Sequence, residues 1–154
     1  MNEYLEEAKE ELKRVDHIIF VSLKYTRTVD VIRNALHRLV SAFEYIIDGL
    51  IGHFQQQGVA EAIPKSPRAK VKMLRQLRAD DMILRNYLVF YQFLRELDKA
   101  PYTRRDEYRR HVTMVAELGN RTAEIDIDML EDEFDRVAKE FLAFVEEVTG
   151  VPQE

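Results

Sequence analysis

The chain has 154 residues, 46% of them hydrophobic and 33% charged, a net charge of −5 at pH 7 and no cysteine. That length suits one domain (1–154) with a buried core. The composition excludes a disordered chain, and the lack of cysteine excludes disulfides, thiol chemistry and cysteine-ligated zinc. No apolar run approaches the roughly 20 residues that cross a bilayer, and residues 1–14 are acidic and amphipathic, unlike a secretory signal. A soluble cytoplasmic protein with no membrane partner is the expectation.

The first element predicted is a helix, with Leu5, Ala8, Leu12, Val15, Ile19 and Ser22 recurring every three or four residues. "KYTRT" (24–28) reads as a joint, with Thr28 or Asp30 to cap the next helix. That second helix, about Val29 to Gln57, carries Leu36, Leu39, Val40, Phe43, Ile46, Ile47, Leu50, Ile51 and Phe54 on one arc. Arg33, His37, Ser41, Glu44, Asp48 and Gln55 share the opposite arc. A strip of small residues seven apart (Ala35, Ala42, Gly49) lies between the two and offers a seat for another helix. With the long amphipathic helices, it points to a homodimer.

Gly58 ends that helix. Ser66 followed by Pro67 opens a short basic helix to about Ala79, with Val71, Leu74 and Leu77 inward. Asp80 and Asp81 precede a further core helix with Ile83, Leu84, Tyr87, Leu88, Tyr91, Leu94 and Leu97, and the two helices read equally as one with a kink. Pro101 stops the segment, and Thr103 with Asp106 fits the cap of a short helical turn. Two alternating runs, Val112 to Leu118 and Ala123 to Ile127, flank Gly119-Asn120 and read as a β-hairpin (about 111–127) with a type II′ turn. A helix continuing through Leu118 is the alternative. Asp128 and Glu131 mark the start of the last helix, faced by Leu130, Phe134, Val137, Phe141, Val145 and Val148, with Gly150 as its stop and Pro152 beyond. The predicted fold is mainly α: a bundle of four to five helices with a small hairpin before the C-terminal one.

Charge is unevenly spread. Residues 65–110 hold 13 basic and 6 acidic side chains, so a middle third at +7 sits in a chain whose remainder carries −12. One reading is an anion-binding surface for RNA or a nucleotide, with Arg68, Lys72, Arg75 and Arg78 near one helical face and Arg109 and Arg110 beyond them. Tyr87, Tyr91, Tyr102 and Tyr108 lie nearby in sequence as candidate base-stacking rings, the first two being better placed for the core. Internal neutralisation against the acidic helices is a second reading. An acidic partner or self-pairing is a third.

The segment "RRDEYRRH" places Arg105, Asp106 and His111 in an arginine-polar-x4-histidine pattern. It resembles the motif of HEPN (higher eukaryotes and prokaryotes nucleotide-binding) domains, small helical bundles that often dimerise. Many of those are metal-independent ribonucleases, in which the arginine and histidine of two protomers face each other in a cleft. The resemblance implies that Arg105 holds the scissile phosphate and that His111 is the general acid or base, a role suited to an imidazole. Other members bind nucleotides or partner minimal nucleotidyltransferases. "RNALH" (33–37) is a near miss, one residue short. His37, Glu44 and Asp48 could hold a divalent metal with help from another helix, but bundle sites use inward-facing Glu-x-x-His pairs. A solvated face is therefore expected there, and His17 and His53 receive no role. No glycine-rich phosphate loop, nucleophile elbow or paired-histidine zinc motif is present, and neither a metal nor another cofactor is expected. Two functions stay open: an RNA- or nucleotide-binding HEPN-like domain with ribonuclease activity, and a non-enzymatic assembly module that uses opposed acidic and basic surfaces.

Overall fold

The computed structural model describes residues 2–150. Five helices and one small antiparallel sheet make up this part of the chain. Helix α1 (Glu3–His17) passes through a π-helical turn (Ile18–Ser22) into a last helical turn (Leu23–Tyr25), α2 spans Val29–Gln56, α3 Pro67–Leu77 and α4 Met82–Lys99. Strands β1 (Tyr102–Arg105), β2 (Thr113–Leu118) and β3 (Arg121–Asp126) come next. Helix α5 begins as one turn (Ile127–Met129), widens through a second π turn (Leu130–Phe134) and runs on over Asp135–Thr149.

The long helices form where the apolar spacing puts them. All nine apolar-arc residues of α2 are buried, as are Leu5, Ala8, Leu12, Val15 and Ile19 of α1. Each fully buried side chain of this size contributes about 1.5–3 kcal/mol before chain entropy is set against it. Aromatic rings join the layers, with Phe43 of α2 centred 5.2 Å from Phe141 of α5, and Phe90 of α4 5.4 Å from Phe134. The small-residue strip of α2 is filled by α1 of the same chain: a Cβ added at Gly49 would lie 2.6 Å from Leu5 Cδ2, and Asn2 donates to the Gly49 carbonyl at 2.8 Å. That strip therefore gives no support to a homodimer.

Caps fall largely where the sequence marks them. Thr28 accepts from the Val31 amide, Ser66 from Ala69 and Asp81 from Leu84. Gly58 and Gly150 adopt positive φ at their helix ends. Asp81 opens α4 as a separate helix, so residues 67–99 form two helices broken at Arg78–Asp81. Pro152 lies outside the described residues.

The departures have local causes. A π turn delays the helical phase by one residue, so Leu23 rather than Ser22 takes the inward position at the end of α1. Ile83 lies one residue off the buried row Leu84-Leu88-Tyr91 and is exposed. Asp126, not Asp128, caps α5 by accepting from the Met129 amide at 2.9 Å. Thr103 and Asp106 cap no helical turn. Thr103 sits in β1, a third strand that pairs antiparallel with the free edge of β2 (Tyr102↔Ala116, Arg105↔Thr113). The hairpin itself stands, with Leu118 paired to Arg121 across Gly119-Asn120. Gly119 has φ +72° while Asn120 keeps a negative φ, the signs that a type II′ turn requires. Among the described residues, no helix is long and apolar enough to cross a membrane.

Candidate anion-binding surface

The polar arc of α2 is covered by other helices at Glu44 and Asp48, whereas His37 and Gln55 remain exposed, as a solvated face would have them. Asp48 pairs with Lys70 of α3 at 2.7 Å, and Glu44 accepts from the buried Tyr91 hydroxyl of α4 at 2.7 Å. Burial, reinforced by the Glu44 carboxylate, pushes the Tyr91 phenol well above its ordinary range. His37 lies 3.2 Å from Asp98, and the Arg33 guanidinium sits 4.2 Å above the Tyr102 ring. His37, Glu44 and Asp48 thus each face a different partner along the helix. No group of three or more His, Cys, Asp or Glu among the described residues is arranged to hold a metal ion.

Helices α3 and α4 lie side by side on this arc, and their seam is basic. Two grooves open along it. One, about 370 Å³, is lined by Arg68 at the start of α3 and by Arg95 and Lys99 at the end of α4, with Tyr91 at its floor and Glu96 on its rim. The other, about 230 Å³, is lined by Arg75, Arg78 and Arg85 with Leu84 and Leu88 beneath. Arg78 pairs with Asp81 at 2.8 Å. Burial opposes ionisation of the Asp81 carboxyl, but the Leu84 amide and Arg78 outweigh it and hold the group below its usual range. Among the described residues, Arg68, Arg75, Arg85, Arg95 and Lys99 form no ion pair, and neither does Lys72, exposed on α3. Arg95, Lys99 and Arg85 escape notice when only one helix is read. The four-residue spacing of Arg95 and Lys99, which puts both on one face of α4, is the signal that finds them.

The arginines of the segment 104–111 behave differently. Arg104 bonds Asp30 at the start of α2 at 2.8 Å and Glu107 at 3.2 Å. Arg105 pairs with Glu124 on β3 and lies 4.0 Å from Asp106. Arg110 bonds Asp128 at 2.6 Å. These hydrogen-bonded carboxylates raise the pKa of all three guanidiniums. Among the described residues, five of the thirteen cations of residues 65–110 are therefore in ion pairs (Lys70, Arg78, Arg104, Arg105, Arg110), and the other eight are not.

The loop between β1 and β2 is tied down at its middle. Glu107 accepts from the Val29 amide at 2.9 Å, serving the open N-terminus of α2, and the Tyr108 amide donates to the Arg27 carbonyl at 2.6 Å. Asp106 and Tyr108 are held at φ +55° and +67°, left-handed conformations that cost about 1 kcal/mol or more each for residues with a Cβ. Arg105 ends β1, while His111 lies in the turn before β2 with its ring exposed. Arg105 and His111 thus sit on a strand end and in a turn rather than on a helix, and neither lines the two seam grooves.

A third groove, about 470 Å³, separates α1 from α5 and carries both charge signs, including Lys9, Asp16, Lys139 and Glu146. Lys139 bonds Asp16 and the buried Asp135, each at 2.9 Å. Burial and then the hydrogen bond to Asp16 push the Asp135 carboxyl up to about 7, with Lys139 pulling the other way.

No protein-family model matches the chain, and neither a curated protein nor a solved structure matches it.

Proposed function

We propose that this protein binds RNA, or nucleotides through the same phosphate chemistry, along the seam of α3 and α4. The observation that carries the reading is that five cations lining the two grooves (Arg68, Arg75, Arg85, Arg95 and Lys99) have no carboxylate partner among the described residues. Unneutralised cations along a groove concentrate a phosphate chain by counterion release. Lys72 and Arg109 are exposed and extend the same cationic supply, whereas Arg78 and Arg110 reach a phosphate only by giving up Asp81 or Asp128. The HEPN likeness of Arg105 and His111 adds a proposed metal-independent cleavage step: Arg105 exchanges Glu124 for the scissile phosphate, the neighbouring ribose 2′-hydroxyl attacks phosphorus as the bond to the 5′-oxygen breaks, and the exposed His111 takes the hydroxyl proton as base or gives one to the departing oxygen as acid.

A second reading has its own support. The ion pairs that tie Arg104, Arg105 and Arg110 to α2, β3 and α5 fit an assembly module whose charges serve structure. Labelled single-stranded RNA, added in chelator and followed by fluorescence anisotropy and by gel, separates the two. Binding that weakens with salt supports the proposal, and cleavage lost in His111→Ala adds the ribonuclease. Absence of binding sinks the RNA reading and favours the assembly module. Sedimentation in the same buffers tests the proposed homodimer, and fractionation of cells tests the proposed cytoplasmic location.

A further inference from the structure

Among the described residues, the two most exposed aromatic side chains lie at the same end of the molecule. Tyr25, in the last turn of α1, is 84% exposed and Tyr108 is 79% exposed. The backbone of Tyr108 is bonded to Arg27, two residues from Tyr25. A tyrosine gains nothing for folding by standing in water. Tyr108 is moreover kept in a left-handed conformation that the flanking contacts enforce, since Glu107 is anchored on Val29 and Arg104 on Asp30.

The pairing pattern around the two rings is selective. Arg104, Arg105 and Arg110 are neutralised by carboxylates and hold the loop in shape. The cations that remain there without an ion pair among the described residues are Lys24, Arg27 and Arg109, and Arg27 Nε is buried with no hydrogen-bond partner at all. Charge complementarity therefore selects an anionic occupant, and two outward rings select one with flat faces.

We propose that Tyr25 and Tyr108 are a base-stacking platform for single-stranded RNA, with Lys24, Arg27 and Arg109 taking the adjoining phosphates. The inference rests on the RNA-binding reading above and specifies its substrate class as unpaired rather than duplex RNA. A stacked ring is sequence-tolerant, because every base offers a π face, and duplex bases are already stacked on each other. The α3–α4 seam then supplies backbone attraction and the platform supplies the preference for free bases.

The test measures anisotropy of a labelled single-stranded RNA, an abasic strand with the same number of phosphates, and a duplex of the same length. The wild type is expected to bind the single strand roughly tenfold or more tighter than the abasic strand, the size of a stacking contribution. In Tyr25→Ala/Tyr108→Ala that preference falls to near parity while abasic binding is unchanged, and Tyr25→Phe/Tyr108→Phe restores it. A base preference untouched in the double alanine variant overturns the platform but leaves the seam intact. Equal binding of base-containing and abasic strands by the wild type also overturns it. Failure of every strand to bind removes the RNA reading and the platform together. Crosslinking of the wild-type protein to a thiouridine-containing strand decides the matter even if the double variant does not fold. Adducts at Tyr25 or Tyr108 support the platform, and adducts confined to α3 and α4 overturn it.

Discussion

The α3–α4 seam and the β1–β2 loop are both rich in arginine, yet their cations face different things. On the seam, Arg68, Arg75, Arg85, Arg95 and Lys99 look into grooves with no carboxylate of the described residues bound to them. On the loop, Arg104, Arg105 and Arg110 each reach a carboxylate of another element. A run of basic residues in a sequence therefore says little until it is known which are matched. Exposed pairs of this kind add little stability singly, but they consume the charge that a phosphate would otherwise meet.

The comparison can be broken most directly at the seam. Arg68→Glu with Arg75→Glu is expected to weaken single-stranded RNA binding by about 10- to 100-fold and to flatten the salt dependence by about 1.4 in log–log slope, roughly 0.7 for each lost phosphate contact. An unchanged slope in salt titrations would remove the seam from the binding surface. Next in size is Glu107→Gln, which takes the negative charge off the start of α2 and off Arg104. Urea unfolding should show a loss of about 0.3–1 kcal/mol, the range for a charge at a helix end, since Gln still accepts from the Val29 amide, with seam binding retained. A loss of binding equal to that of the double charge reversal would mean that the two regions are not separate.

The α1–α5 groove provides a control on pH. Asp135 titrates near 7 in the folded protein against 3.8 for an ordinary Asp. The folded state therefore holds its proton longer than the unfolded state, and the contribution is fully present below about pH 4 and is lost as pH rises to about 7. Wild-type stability should decline across that window, and Asp135→Asn should remove this share of the decline in urea midpoints taken from pH 4 to 8. Asp16 and Lys139 are the groups that face this carboxyl. Seam binding should be the same in both proteins at pH 7. The smallest effect on stability and binding is expected from Arg105→Ala, an exposed member of an exposed pair. Its thermal midpoint should match the wild type, its RNA affinity should fall by no more than the loss of one phosphate contact, and cleavage should be lost.

Helix α2 was legible because nine apolar residues repeat at helical spacing from Leu36 to Phe54, and α5 because its inward face needs only its own spacing. The hairpin was legible from two alternating runs around Gly119-Asn120. Strand β1 was not, since a four-residue strand of Tyr-Thr-Arg-Arg carries no alternation of its own and exists only because β2 has an open edge. Part of the polar arc of α2 is hidden from the sequence for a similar reason. Asp48 and Glu44 look like water-facing residues until Lys70 and Tyr91 are brought across from other helices, while His37 does face water. Of the candidate site, the basic face of α3 was readable, while its α4 half and Tyr25, hidden in what read as a joint, depended on contacts between distant segments.

Glu107 reaches Val29 across 78 positions of sequence, which makes the first turn of the longest helix dependent on a loop synthesised long after it. The Val29 amide is in effect a built-in reporter. Its hydrogen-exchange rate reads whether that loop is docked, so a ligand that engages the loop would be visible there without any label.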